Sequence, residues 1–293
     1  MTGSLRDIGI LTMAYGPQKY IDQAITLSRS LRRTMPGYRL AIVSDRADLG
    51  EHFDIVVPMR KFETAGTVHK VNMADYSPFE ETLFIDSDCV VVRGFEPELA
   101  DIRKYPFTPI VATFYRHGDT DLWLEDVGAA LDKVGGTVFP KFNGGVYFWQ
   151  SGEHAKRVFD ESKRLRARAA ELGIKDFDAS GPGEETLIGL ALAGLGVAEF
   201  YNDHGRLMRT PLNSSGPIVA EVMTGESRFI KEGALVEPAI QHFCGPWIRH
   251  PAYLIARREQ EQGRRLGTFG RARIRVPFGL SVLAGKVRRK LGL

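Results

Sequence analysis

Thr82-Leu83-Phe84-Ile85-Asp86-Ser87-Asp88-Cys89-Val90-Val91-Val92 joins an apolar run to two carboxylates and then to a second apolar run. The first run reads as a buried strand, with the acids at its carboxyl end. Two residues apart on extended chain, Asp86 and Asp88 point to one side. Burying two negative charges is costly unless a cation or hydrogen-bond donors compensate them. Their hard oxygens suit Mg²⁺ or Mn²⁺. An isolated Asp-x-Asp is more often a plain polar turn. Here the flanking apolar runs put the pair at mid-sheet depth, at the strand end where open α/β sheets bind ligands.

Outward from that stretch, the chain alternates strands and helices. Asp7-Ile8-Gly9-Ile10-Leu11-Thr12 reads as a buried first strand, turned by Gly16-Pro17. Tyr20, Ala24, Leu27 and Leu31 recur at helical spacing, predicting a helix from about Gln18 to Arg33 that Pro36-Gly37 ends. Arg39 to Ser44 and Phe53 to Val57 read as further strands. Strand, helix, strand with continuous apolar strands predicts a mostly parallel central sheet with helices on both faces. Further strands are expected at Ile110–Phe114, Val146–Trp149, Val197–Tyr201 and Ile240–Phe243. Helices are expected at Glu153–Glu171 and Glu184–Ala193.

Bulk properties narrow the class. The 293 residues are 43% hydrophobic and 26% charged, an ordinary globular composition with a sizeable core. Two cysteines, Cys89 and Cys244, sit in apolar stretches and read as buried reduced thiols, which fits a cytoplasmic protein. No apolar run reaches the ~18 residues of a membrane span, and no signal peptide is visible. The net charge of +3 hides an asymmetry. From Arg257 onward nine Arg and two Lys face two Glu, a local balance of +9, which leaves −6 for the rest. The composition break predicts one domain over 1–256 and a basic amphipathic tail over 257–293. Within the tail, Arg271 to Lys290 alternates basic clusters with apolar residues. Such a segment suits the anionic cytoplasmic face of an inner membrane, each basic group adding ~1 kcal/mol near the surface. No reading module accompanies this charge, so nucleic acid is not an expected partner.

Leu11-Thr12-Met13-Ala14-Tyr15, Lys70, Asp86-Ser87-Asp88, Phe142-Asn143-Gly144-Gly145-Val146, Glu184-Glu185 and His242-Phe243-x-Gly245 occur in that order. Together they resemble glycosyltransferase family 8, the glycogenin and lipopolysaccharide galactosyltransferase group, over roughly residues 7 to 250. Each motif is short, and the combination is what is specific. The resemblance implies a GT-A fold and transfer of a hexose from a nucleotide diphosphate sugar, of the UDP-sugar type, to a glycan, lipid or protein acceptor. It implies retention of the anomeric configuration. Tyr15 would stack on the base, and Thr12 lies where many relatives place a polar group. Lys70 would touch donor phosphate or sugar, and Ser87 would lie against the donor. Asp86, Asp88 and His242 would hold Mn²⁺ or Mg²⁺. Asn143 and Gly144 would line the sugar site. Glu184 and Glu185 stand where relatives carry Asp-Gln near the reacting carbon, and with Asn143 they are the expected catalytic groups.

The sequence also departs from the family. Relatives often follow the His motif with Lys-Pro-Trp, whose lysine binds the diphosphate. Here Gly245-Pro246-Trp247-Ile248-Arg249 puts Ile248 at that spacing, so Arg249 is the expected substitute. Each motif residue also has a plainer reading. Tyr15 and His242 suit a core, Lys70 suits a solvated surface and Asn143 suits a turn. Glu184 and Glu185 would be favoured at a helix N-terminus by the dipole. Two rival functions stand beside the transferase. A sugar-1-phosphate nucleotidyltransferase shares the sheet and an acidic metal site, but usually opens with a Gly-rich basic loop, which Met13-Ala14-Tyr15-Gly16 is not. A non-catalytic nucleotide-sugar-binding scaffold at a membrane is the other, and intact Asp86, Asp88 and His242 argue against it.

Overall fold

The computed structural model describes residues 4–60 and 67–278. In chain order the strands are β1 (Ile8–Met13), β2 (Leu40–Ser44), β3 (Ile55–Pro58), β4 (Glu81–Ile85), β5 (Cys89–Val91), β6 (Phe107–Tyr115), β7 (Phe139–Gln150), β8 (Asp176–Asp178), β9 (Gly181–Pro182), β10 (Met208–Arg209), β11 (Ser214–Glu221), β12 (Glu226–Lys231), β13 (Ala234–Val236) and β14 (Ile240–His242). The α-helices are α1 (Gln18–Thr34), α2 (Glu96–Ile102), α3 (Val127–Val134), α4 (Glu153–Ala167), α5 (Glu184–Gly194) and α6 (Pro251–Gln262), with a further helical stretch over residues 268–278. The chain divides into two compact units. One comprises Met1–Pro17, Gly37–Asp86 and Glu96–His204, and the other Gln18–Pro36, Ser87–Phe95 and Gly205–Leu293.

The first unit is built on a six-stranded sheet in the order β3-β2-β1-β4-β7-β6. β3, β2, β1 and β4 run parallel, and β7 is antiparallel to both β4 and β6. The apolar runs Ile8–Met13 and Leu40–Ser44 are buried along their whole length. Full burial is what a parallel strand covered on both faces requires. The chain leaves β1 toward β2 and β3, then returns on the other side of β1 as β4. The carboxyl ends of β1 and β4 therefore flank the point where strand order reverses, the place where open α/β sheets form a crevice. An aromatic core containing Phe84, Phe107, Phe142, Tyr147, Trp149 and Phe159 packs beneath it. Each such buried side chain contributes roughly 1.5–3 kcal/mol.

The second unit holds the three-stranded sheets β10-β14-β5 and β11-β12-β13, with α1 and α6. Its core joins Val90, Val92, Phe243, Tyr253 and Ala256. Two buried polar side chains set the frame of β5 and β14. Ser30 Oγ donates to Leu27 O at 2.7 Å and accepts from Val91 N at 3.1 Å. Gln241 Nε2 donates to Val219 O at 2.6 Å and to Ser227 Oγ at 2.9 Å.

Several expectations need correction. Val197–Tyr201 forms no strand. Val197 N closes the last turn of α5 on Leu192 O at 3.0 Å, and Tyr201 N bonds Thr108 Oγ1 at 3.1 Å, so neither donor is offered to a ladder. In α1 the inward face carries Ile21, Ala24, Leu27 and Leu31, whereas Tyr20 is exposed. The helix from Glu153 stops at Ala167, four residues early.

The basic segment is only partly outside the core. Residue 257, the expected start of the tail, lies inside α6, with Ala256 buried and Arg257 Nη2 at 3.2 Å from Asp22 Oδ2. Residues 268–278 are helical. Arg271 pairs with Glu221 and with Glu259, whose side chain is fully buried. Removing that arginine would take the cation from the buried Glu259 and leave Glu221 with the longer Arg265 contact of 3.5 Å. Of the other basic residues expected to meet a membrane, Arg273 and Arg275 are exposed on the helical stretch, and those from Lys286 to Lys290 lie outside the described residues. Among the described residues no helix is long and apolar enough to cross a membrane.

Candidate functional site

At the carboxyl end of β4 the first unit gathers charged groups that the sequence spreads from Lys70 to Glu185. β4 pairs with β7 so that Phe84 faces Tyr147 and Ile85 faces Val146. Asp86 N then bonds Gly145 O at 2.9 Å, extending the ladder by one bond and fixing where its carboxylate emerges. Lys70, from the 3-10 stretch Thr67–Tyr76, puts Nζ 2.6 Å from Asp86 Oδ2 and 3.1 Å from Glu184 Oε1. Glu184 and Glu185 open α5, where the helix dipole favours negative charge. The two glutamates divide their work. Glu184 turns to Lys70. Glu185 Oε1 accepts from Gly144 N at 2.7 Å and from Asn143 Nδ2 at 3.4 Å.

Packing in this cluster is tight around Gly144, where a side chain would displace Glu184 from its place beside Lys70. A Cβ on Gly144 would stand 2.4 Å from Glu184 Oε1 and 2.9 Å from the Tyr147 hydroxyl. Glu184 is almost fully buried. Desolvation raises its pKa to about 7, Lys70 opposes the rise, and Glu185 and Asp86 add to it. Burial also pushes the Tyr147 phenol well above its ordinary value, with Glu184, Glu185 and Asp86 adding to the effect, so it stays protonated. Tyr147 faces these acids from the core, and nothing in the sequence singled it out.

The carboxyl end of β1 supplies the other expected residues of this unit. Thr12 is buried, and its hydroxyl meets no hydrogen-bond partner among the described residues. Tyr15 is half-buried, with its ring edge-on to His69 at 6.0 Å between centroids. Gly16 then turns with φ 74°, a left-handed conformation that glycine adopts without strain, and its N–H donates to Asp45 Oδ2 at 3.1 Å.

In the second unit, β5 and β14 are antiparallel, with His242 opposite Cys89. Phe243 N bonds Asp88 O at 3.1 Å, so the ladder reaches back over Asp88. His242 Nε2 stands 2.8 Å from Asp88 Oδ1, with the imidazole 4% and the carboxylate 18% exposed. Cys89 Sγ belongs to the same group, its ligand atom and theirs all lying within 4.8 Å of one another. Ser87 is buried in the turn ahead of them. Arg249 is exposed at the end of the 3-10 turn Gly245–Arg249. The oxygen and nitrogen donors of Asp88 and His242 fit a divalent cation. The sequence predicts a buried thiol at Cys89, and the side chain is buried. Its place beside His242 follows from strand register, which the sequence does not display.

The structure superposes on that of the galactosyltransferase LgtC in complex with donor and acceptor sugar analogues. The match spans 88% of this chain and 97% of LgtC, at 16% identity and a TM-score of 0.52. This chain has the GT-A fold. An active-site mutant of LgtC matches over 81% of this chain and 88% of its own, at 14% identity and a TM-score of 0.49. The bifunctional glycosyltransferase WbbM matches over 81% of this chain and 46% of its own, at 11% identity and a TM-score of 0.48. No protein-family profile matches the sequence. No curated protein matches it either. In this GT-A chain the charged cluster lies at the end of β4, beside the reversal of strand order, as the sequence predicts for Asp86.

Glu184 makes stability depend on pH. Its folded-state pKa, about 7, lies above the ordinary 4.5, so between those values the native protein holds a proton that the unfolded chain releases. This contribution is present at low pH and is lost as pH rises through about 7. Glu184→Gln removes the titration. Urea unfolding should then show the variant gaining on the wild type by roughly 1–3 kcal/mol between pH 4.5 and 7. A difference that stays flat across that range would contradict a raised Glu184.

Proposed function

We propose that this chain is a metal-dependent glycosyltransferase that moves a hexose from a nucleotide diphosphate sugar, of the UDP-sugar type, to an acceptor hydroxyl with retention of anomeric configuration. The observation that carries the reading is the Asp88–His242 contact of 2.8 Å. A carboxylate and an imidazole remote in sequence are held together by strand register. The Asp-x-Asp spacing adds Asp86 as a further ligand of Mn²⁺ or Mg²⁺. When bound, the cation supplies positive charge against the diphosphate as its bond to the sugar breaks.

The other residues take roles their chemistry allows. Tyr15 stacks on the donor base, and the Thr12 hydroxyl bonds to it. Lys70 exchanges part of its contact with Asp86 and Glu184 for donor oxygens. Ser87 and Arg249 bind the phosphates, Arg249 in place of the usual lysine. Asn143 and the Gly144 backbone line the sugar, oriented by Glu185. Glu184 or Glu185 stabilises the positive charge that develops at the anomeric carbon. In a retaining transfer the departing phosphate oxygen takes the acceptor proton on the same face, so the chain need not supply a general base. The acceptor is a glycan, a lipid or a protein.

A panel of nucleotide sugars, with and without Mn²⁺, tests this reading. The expected result is metal-dependent release of nucleoside diphosphate from one donor, lowered at least ~100-fold in Asp88→Ala with the fold retained. Undiminished Mn²⁺-dependent turnover in Asp88→Ala would refute the metal assignment. Pyrophosphate release would identify a sugar-1-phosphate nucleotidyltransferase, and no turnover with any donor a binding scaffold.

We also propose that the basic segment beyond Arg271 attaches the protein peripherally to the cytoplasmic face of an inner membrane, close to a lipid-linked acceptor. Its support is compositional, because Arg271 itself is committed to Glu221 and Glu259. Deleting residues 279–293 should release the protein from vesicles containing anionic lipid while nucleoside diphosphate release from the donor is unchanged. Vesicle binding that persists after the deletion would rule residues 279–293 out as the anchor.

A further inference from the structure

We propose that Cys89 is a ligand of the Asp88–His242 cation site, and that its sulfur makes the site prefer a thiophilic divalent ion, such as Zn²⁺ or Co²⁺, over Mn²⁺ or Mg²⁺. The proposal rests on the metal-site reading above and goes beyond it in the ligand set and the class of ion. Three donors of different softness meet here. An oxygen of Asp88, the sulfur of Cys89 and a ring nitrogen of His242 lie within 4.8 Å of one another. Zinc bonds of about 2.3 Å to sulfur and 2.0–2.2 Å to nitrogen and oxygen imply donor separations of roughly 3.3–3.8 Å. Small side-chain rotations close that gap.

The backbone already holds the donors in place. Cys89 and His242 are directly opposite in the antiparallel ladder of β5 and β14, so their side chains leave the same face, with Cβ atoms about 4.5–5.5 Å apart. Ser30 pins β5 through Val91 N, and Gln241 pins β14 through Val219 O. Both Cys89 and His242 are buried, and Asp88 alone of the three opens to solvent. Ion entry and any exogenous ligand are therefore on the Asp88 side.

The chemistry follows from softness. Thiolate and imidazole together favour zinc and cobalt, whereas magnesium and manganese prefer oxygen donors. On binding, the Cys89 thiol gives up its proton to water and the sulfur lone pair forms the bond to the ion. No electron is transferred. A hard ion would use Asp88 and His242 and leave the thiol protonated. The same protein would then respond differently to the two classes of ion.

Cobalt titration of the intact protein, followed by absorption, tests this directly. The wild type should show a sulfur-to-cobalt charge-transfer band in the near ultraviolet beside the visible ligand-field bands. Cys89→Ala should lose the charge-transfer band but keep ligand-field bands, and Zn²⁺ affinity should fall at least ~10-fold while Mn²⁺ affinity changes little. Cys89→Ser is a second, near-isosteric variant should the alanine form misfold. Cys244→Ala should keep the band and controls for the other cysteine. Cobalt bound without a charge-transfer band in the wild type would overturn the role of Cys89 and leave the Asp88–His242 site standing. A band that survives in Cys89→Ala would do the same. Binding of neither cobalt nor manganese would remove the metal site itself.

Discussion

Lys70 Nζ stands 2.6 Å from Asp86 and 3.1 Å from Glu184, and the first unit depends on that shared cation. Two carboxylates at the end of a buried strand and the start of a buried helix would otherwise be expelled or protonated. One ammonium on the Thr67–Tyr76 stretch serves both. It stands closer to Asp86 than to Glu184, and burial still raises the pKa of Glu184 to about 7. In the proposed reading, an incoming phosphate would compete for a lysine that is already positioned. The order of elements that brings Lys70 to β4 thus lets two acidic groups share one cation.

The second unit faces the same constraint with different means. Asp88 meets an imidazole, and the ladder between β5 and β14 leaves neither group free to move far from the other. An imidazole is a weaker counter-charge than an ammonium and a better metal ligand. Replacing lysine by histidine as the partner of a carboxylate shifts the chemistry from ion pairing toward coordination. Cys89, brought beside them by the same register, adds a donor that oxygen-seeking ions do not ask for.

How much of this was legible depends on whether a feature is local. β1, β2 and β4 are continuous apolar runs ending at polar residues, and such runs declare themselves. Only Val146–Trp149 of β7 was legible, because Pro140, Asn143, Gly144 and Gly145 interrupt the pattern. The strand nevertheless extends from Phe139, since β6 accommodates it with shifts in register. β11 to β13 escaped notice because Ser214-Ser215-Gly216-Pro217 carries no hydrophobic alternation. Val197–Tyr201 misled in the opposite sense, an apolar run whose donors are spent on a helix end and a threonine hydroxyl. The candidate site residues were found through motif order. Their partners were not, because Lys70 to Glu184, Glu185 to Gly144 and Cys89 to His242 are tertiary contacts that no periodicity encodes.

Cation binding by Asp88 and His242 is open to direct observation. Crystals of the intact protein grown with Mn²⁺ and a nucleoside diphosphate would give anomalous difference density at the ion. The expected result is a single strong peak within coordination distance of Asp88 Oδ1 and His242 Nε2, bridged to the diphosphate. A nucleoside diphosphate bound with no manganese at that pair, or with its manganese held by other residues, would contradict it.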